Sequence, residues 1–203
     1  MRTMVKKLPQ DRPITADLSD TLEAMKIYSM FLLLIAFLAT IGCSRDETPA
    51  PASSQPPPTE APVPTVVYLI RHAETTGPGP DPGLSAIGLG RVDNWTVLFQ
   101  DITFSAFYST DFNRTRQTIE PIAASNDQEV ILYDPANFSL ADVVLEHTGG
   151  NVLIVGHSNT IPPLINAYLG SAVYPNMSEI EYGNLYKITV LDGEVSHEMT
   201  VHE

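Results

Sequence analysis

The chain holds one cysteine in 203 residues. No internal disulfide can form, and no cysteine-based zinc cage can assemble. Cations are scarce as well: 11 Lys and Arg stand against 24 Asp and Glu, a formal net charge of −13. A phosphate backbone demands a basic footprint, so this balance argues against nucleic acid as a partner. No internal repeat is present. Five histidines leave a histidine-rich metal site arithmetically open.

The shortage of cations is sharper toward the end of the chain. From Val66 to Glu203, five Lys and Arg (Arg71, Arg91, Arg114, Arg116, Lys187) face 17 Asp and Glu, a balance of −12. Two of the five, Arg71 and Arg114, fall inside the motifs described below. An acidic domain that keeps its arginines there builds a local anion site against its own field. Ordinary surface pairing is the alternative.

The first third of the chain reads as delivery. Tyr28 to Gly42 is a continuous, mostly apolar run. It is short for a membrane span, which needs roughly 20 residues, and right for a signal core. Cys43 follows at once. The segment resembles a bacterial lipoprotein signal, which implies that Cys43 becomes the lipidated first residue after cleavage. Ile41 and Gly42 match that pattern, and Thr40 departs from it. Residues 1–24 carry Asp11, Asp17, Asp20 and Glu23, a poor fit to the positive flank of a signal. A start at Met25, with Lys26 as the flank, fits better, and residues 1–24 then read as an over-extended start or a tail. An uncleaved membrane anchor is the alternative for residues 25–43. Residues 44–64 are proline-rich and lack apolar periodicity, as expected of a semi-rigid spacer. The expectation is a domain tethered in the bacterial cell envelope, on the extracytoplasmic side.

Residues 65–203 alternate between strand and helix patterns. Thr65–Ile70, Ala106–Ser109, Val130–Tyr133 and Asn151–Val155 are apolar without alternation, which predicts parallel strands buried on both faces. Ser85 is placed to cap a helix with Gly88, Val92, Trp95 and Phe99 on one face. A second helix runs from about Phe112 past Ile122, with Pro121 expected to kink or end it. Leu140–Glu146 is a third. A fourth follows His157, with Pro162 and Pro163 in its first turn. Leu185–Val190 and Val195–Val201 flank Asp192-Gly193 as a hairpin. The prediction is an α/β domain, a three-layer α/β/α arrangement around a mostly parallel central sheet.

Ligands of parallel sheets bind beyond the carboxyl ends of the strands. Three of those ends carry unusual residues: LIRHAET (69–75), YSTDFNRTRQT (108–118) and VGHSNT (155–160). Together they converge two histidines and two guanidiniums on one crevice. Arginine forks match phosphate oxygens bidentately. The helix after His157 adds N–H groups and a positive dipole end. A neutral imidazole nitrogen is a nucleophile toward phosphorus. This chemistry requires no metal and no cofactor.

These three segments resemble the histidine phosphatase superfamily, in its phosphoglycerate-mutase-like branch, over essentially all of the folded part. The resemblance implies that His72 is the phosphorylated nucleophile. It implies that Arg71, Arg114 and His157 clamp the phosphate, with Ser158 and Asn159 beside them as substrate contacts. Arg114 is preferred to Arg116 because the family sets its arginine just before the small residue of R-T/A-x-Q-T. Ala73 replaces the more common glycine. Ser158 stands where the acid-phosphatase branch carries an aspartate proton donor, so that route is closed. The proton donor is sought instead among Asp142, Asp134 and Glu146, with Asp142 favoured because it opens a helix shortly after the third strand. The absence of mutase-type insertions favours hydrolysis, with a phosphorylated small molecule or a phosphoprotein as substrate. Three readings stay open: a phosphomonoesterase, or less simply a mutase-type transferase; a non-catalytic phosphate-binding module; and a metal site using His72 and His157, against which the two arginines argue by repelling a cation. Glu74 is expected to orient its loop or pair with Arg71, and Arg91 and Arg116 to lie at the surface or make secondary anion contacts.

Overall fold

The computed structural model describes residues 61–203. Cys43, the apolar run, residues 1–24 and all but the last residues of the spacer lie outside the described residues. No helix among the described residues is long and apolar enough to cross a membrane.

The described residues form six strands and four helices. In chain order they are β1 (Thr65–Arg71), α1 (Ala86–Phe99), β2 (Ala106–Ser109), α2 (Asn113–Ala124), β3 (Val130–Leu132), α3 (Leu140–Glu146), β4 (Asn151–Gly156), α4 (Ile161–Leu169), β5 (Asn184–Leu191) and β6 (Glu194–Val201). One sheet takes them in the order β3-β2-β4-β1-β5-β6. The first four are mutually parallel, and β5 and β6 run antiparallel as the closing hairpin.

The alternation of side chains along the parallel strands feeds two cores. Val67 and Leu69 of β1, with Val152 and Ile154 of β4, face α3 and α4, where Leu140, Val143, Ile161 and Ile165 pack on them. Ile70, Phe107, Leu153 and Val155 face the other way, onto Trp95 and Phe99 of α1 and Ile119 and Ile122 of α2. A sheet buried on both faces needs helices on both, and the three-layer prediction holds.

The helix limits follow local chemistry. Ser85 caps α1 by accepting from the Gly88 N–H, and the buried stripe is Gly88, Val92, Trp95 and Phe99. Ser139 caps α3 in the same way through Asp142 N–H. Helix α2 has no side-chain cap of its own. Asp81, from the β1–α1 connection, accepts its Asn113 N–H at 2.8 Å instead. Two expectations fail here. Helix α2 continues three residues beyond Pro121, so the proline does not end it, and the loss is confined to the one bond its missing N–H would make to the preceding turn. Strand β3 is not buried on both faces: it is the sheet edge, and Ile131 and Leu132 are 46% and 48% exposed.

Candidate active site

Strands β1, β2 and β4 all end at the same edge of the sheet, because they are parallel neighbours. Register fixes the detail. Arg71 pairs with Gly156, and His72 N–H donates to the Gly156 carbonyl at 2.9 Å. That places His72 beside His157, with ring centroids 5.4 Å apart. A Cβ on Gly156 would press on the Ile161 side chain and on the Tyr133 hydroxyl, both of which would have to shift. Arg71, His72, Arg114, His157, Ser158 and Asn159 all line one cleft of about 860 Å³.

His72 is buried and its Nδ1 lies 2.8 Å from the Ala73 carbonyl. A carbonyl only accepts, so Nδ1 carries the proton. In the neutral ring, Nε2 is then the nitrogen with the lone pair. Burial lowers the His72 pKa to about 4; the Ala73 hydrogen bond opposes this, and the Arg71 and Arg114 cations add to it. His157 is lowered to about 4 as well, by burial first and then by Arg114, His72 and Arg71. Both rings are therefore neutral at neutral pH.

His157 is positioned by a relay of hydroxyls. Its Nε2 lies 3.0 Å from Thr110 Oγ1. Thr110 donates to Thr115, and Thr115 donates to the Thr110 carbonyl. With its hydroxyl proton committed, Thr110 accepts from His157 Nε2–H. His157 is held from the other side as well, since its N–H donates to Thr160 Oγ1. Thr160 thus braces His157 and makes no side-chain cap for α4. The Thr160 and Ile161 N–H groups both donate to the His157 carbonyl, and Pro162 and Pro163 have none to give. The start of α4 thus brings its dipole and few free donors, fewer than its position in the sequence suggests.

Arg114 projects from the first turn of α2. Its guanidinium lies 4.4 Å from the Phe112 ring centroid and 3.7 Å from Asp81 Oδ1. Thr118, one turn on, accepts from the Ala73 N–H and donates to the Arg114 carbonyl. Gln117 accepts from the Leu84 N–H. The Gln and Thr of the R-T-x-Q-T segment therefore lock the loop after His72 onto the helix that carries Arg114. No role for either is assigned from the sequence.

Arg71 is 4% exposed and heavily engaged. Its Nη1 donates to the Ser178 and Glu181 carbonyls, at 2.9 and 2.8 Å. Its Nη2 reaches Glu179 at 3.3 Å, and the Tyr182 ring lies 4.1 Å from the guanidinium carbon. Glu179 also accepts from Ser158 Oγ at 3.3 Å. The α4–β5 connection thus forms a wall of the cleft, which the sequence does not disclose. Glu74 does not pair with Arg71. It makes a two-oxygen pair with Arg91, at 2.7 to 3.0 Å, and Arg91 also donates to the His202 carbonyl. Arg91 is accordingly a structural tie rather than an anion contact. Arg116 pairs with Glu120 and Asp111 at the surface.

The favoured proton donor is not brought to the site. Leu140, Val143 and Val144 turn inward from α3, which leaves Asp142 on the exposed side, away from the residues that line the cleft. Glu146 does not line it either and lies by Tyr108. Asp134 does line it. Both of its oxygens are taken within its own turn, by Ala136 N–H and the Asn137 side chain. Among the described residues, no three His, Cys, Asp or Glu are grouped to hold a metal ion.

Residues 67–135 match the family model described as histidine phosphatase superfamily (branch 1). No curated protein matches the sequence. Solved structures share the fold at low identity. One is described as the phosphohistidine phosphatase SixA of Agrobacterium tumefaciens: 21% identity, TM-score 0.51, covering 68% of this chain and 98% of that one. A phosphoserine phosphatase variant from Entamoeba histolytica, in complex with phosphoserine, gives 16%, 0.54, and 66% and 94%. A phosphoglycerate mutase from Bacillus anthracis gives 17%, 0.53, and 68% and 93%. The fold is phosphoglycerate-mutase-like.

Proposed function

We propose that this chain is a histidine phosphatase that hydrolyses phosphomonoesters, of small molecules or of a phosphoprotein, through a phosphohistidine at His72. The observation that carries the reading is the 2.8 Å approach of His72 Nδ1 to the Ala73 carbonyl, which selects the tautomer. Its Nδ1–H is held by the Ala73 carbonyl, so the lone pair on Nε2 is available in a cleft that also contains Arg114 and His157.

In the first step Nε2 attacks phosphorus, an N–P bond forms and the ester P–O bond breaks. The leaving oxygen takes a proton and departs as the alcohol. In the second step water attacks the phosphohistidine, the N–P bond breaks, and phosphate and neutral His72 result. Arg71 and Arg114 offset the charge on the phosphoryl oxygens. A bound dianion also favours the protonated form of His157, which then donates through Nδ1. The test is phosphate release from 4-nitrophenyl phosphate in the presence of a chelator. Turnover is expected for the unmodified protein, with a loss of at least about 10³-fold in His72→Ala. Full activity in that variant would refute the reading.

One observation favours a second reading. Asp142 and Glu146, sought as proton donors, do not line the cleft, and Asp134 is engaged within its own turn. A non-catalytic phosphate-binding module would show anion binding without turnover in the same assay.

We also propose a tether. The support is the apolar run Tyr28–Gly42, the cysteine directly after it and the proline-rich spacer. Lipidation at Cys43 would hold the catalytic domain at the bacterial envelope, on its extracytoplasmic side. Cys43→Ser is expected to abolish incorporation of labelled fatty acid, and unchanged labelling would contradict it.

A further inference from the structure

The scheme above leaves open which residue delivers the proton to the leaving oxygen. None of Asp142, Glu146, Asp134 and Asp81 is both in the cleft and free to do it. Asp142 and Glu146 lie outside the cleft, Asp134 is spent on its own turn, and Asp81 is engaged by Asn113 N–H and Arg114.

Glu179 differs from those four in where it stands and in how loosely its carboxylate is held. It lines the cleft with His72 and His157. Its carboxylate spans Ser158 Oγ and Arg71 Nη2, both at 3.3 Å. Its side chain is 87% exposed, so both contacts are long and solvated and are easily given up. The backbone around it is fixed instead. The carbonyls of Ser178 and Glu181 are held by Arg71, the Met177 N–H donates to the Ser158 carbonyl, and the Ser178 N–H donates to the Glu181 carboxylate. A carboxyl that is free to swing from a fixed base, next to the nucleophile's arginine, is what proton delivery needs.

We propose that Glu179 is the general acid and base of this site, held in the free protein by Ser158 and Arg71. This rests on the phosphatase reading above. When a phosphoryl group arrives at Arg71 it takes over the Nη2 contact and frees the Glu179 carboxyl. The carboxyl acts in its protonated form, as a general acid must. It gives that proton to the ester oxygen as the P–O bond breaks. The resulting carboxylate then takes a proton from the water that attacks the phosphohistidine. One proton leaves Glu179 and one returns, and the cycle closes with ester and water consumed and alcohol and phosphate released. Ser158, in place of an aspartate, is a positioning residue in this scheme: it orients the glutamate that stands in for the acid.

The test compares leaving groups. A general acid matters most when the leaving oxygen is a poor one and least when it departs unaided. Glu179→Gln keeps the size and hydrogen bonding of the side chain and removes its acidity. With an alkyl phosphate such as glycerol 3-phosphate, kcat/KM is expected to fall by roughly 10²- to 10⁴-fold. With 4-nitrophenyl phosphate, release of nitrophenolate in a single turnover is expected to change by less than about tenfold. An equal loss with both substrates, or no loss with the alkyl ester, overturns the assignment. Samples of Glu179→Gln and of the unmodified protein with 4-nitrophenyl phosphate, quenched in alkaline denaturant, are assayed alongside for phosphohistidine. If His72 is labelled but the leaving-group effect is absent, Glu179 is wrong and the phosphatase reading stands. If neither this variant nor the unmodified protein forms any label at His72, the phosphatase reading has failed and this assignment falls with it.

Discussion

At the residue scale, the proposed chemistry depends on His72 and His157 remaining neutral in the free protein. Burial, with the nearby arginine cations, holds both at about 4 rather than the ordinary 6.5. The imidazole signals of these two residues, followed by NMR in the ligand-free protein, are expected to titrate near pH 4. Midpoints near 6.5 would show that neither is shielded. Stability follows with a definite sign. An unfolded chain takes up protons on these histidines near 6.5, and the folded protein does so only near 4. The folded state therefore loses stability as pH falls across that window. Glu74 adds a second acid-sensitive contribution. Its carboxyl is lowered by the Arg91 pair against an opposing effect of burial. Its stabilisation is present above about 4.5, its ordinary value, and is lost as pH falls through the lowered one. Glu74→Ala leaves the mostly buried Arg91 unpaired and is expected to cost about 1–3 kcal/mol in denaturant unfolding. A change below a few tenths of a kcal/mol would mean the pair is only a surface contact.

The two arginines of the motifs were legible because each lies in a short segment with its own pattern. Glu179 was not. It sits 108 residues from Arg71, and nothing local in Ser178–Tyr182 announces that its carbonyls wrap a guanidinium. Asp142 is the reverse case. Its position at a helix start is legible, but a start does not say which way a residue faces. The stripe Leu140, Val143, Val144 carried that information, since Asp142 falls off it.

At the scale of elements, the site is a product of register. The strand ends were readable from unbroken apolar runs, and parallel pairing brings their last residues together. What periodicity could not give was the ties between elements. Thr118 joins α2 to the loop after β1 through Ala73 N–H and the Arg114 carbonyl. Thr118→Val keeps the shape and removes both bonds. It is expected to cost about 1–3 kcal/mol and to lower kcat more than it raises KM, because it loosens His72 relative to Arg114. An unchanged kcat would show that the loop is held without it. Gly88 is a second tie. A Cβ there would collide with the Glu74 carbonyl, which accepts from the Ser85 N–H beside it. Gly88→Ala is expected to destabilise by at least about 1–3 kcal/mol through this overpacking, read as a lower midpoint in urea. Strand β3 was misjudged because an apolar run alone does not distinguish a central strand from an edge strand.

At the scale of the whole domain, the site proposed to take phosphate dianions sits in a domain whose residues 66–203 carry five cations against 17 anions. The arginines act over a few ångströms, whereas the net charge acts over the Debye length, about 30 Å at 0.01 M salt and about 8 Å at 0.15 M. Salt screens the long-range repulsion more than it screens contacts inside the cleft. Encounter with a dianionic ester is therefore expected to speed up between those two salt concentrations, read as a rise in kcat/KM. A steady fall would mean that the arginine field reaches beyond the cleft and outweighs the net charge. The three-layer architecture and the mostly parallel sheet were readable from the sequence, because both follow from which runs are buried on two faces. The wall formed by the α4–β5 connection was not, because it depends on how Ser178 and Glu181 close on Arg71 from far along the chain.

The central claim is a covalent one, and trapping the intermediate tests it most directly. The protein is mixed with a phosphate ester, quenched within the turnover time, digested under alkaline conditions and examined by mass spectrometry. The account predicts one phosphoryl group on the peptide that contains His72, stable to base and labile to acid, and absent from His72→Ala. Turnover with no such label, or an equal label in His72→Ala, would contradict it.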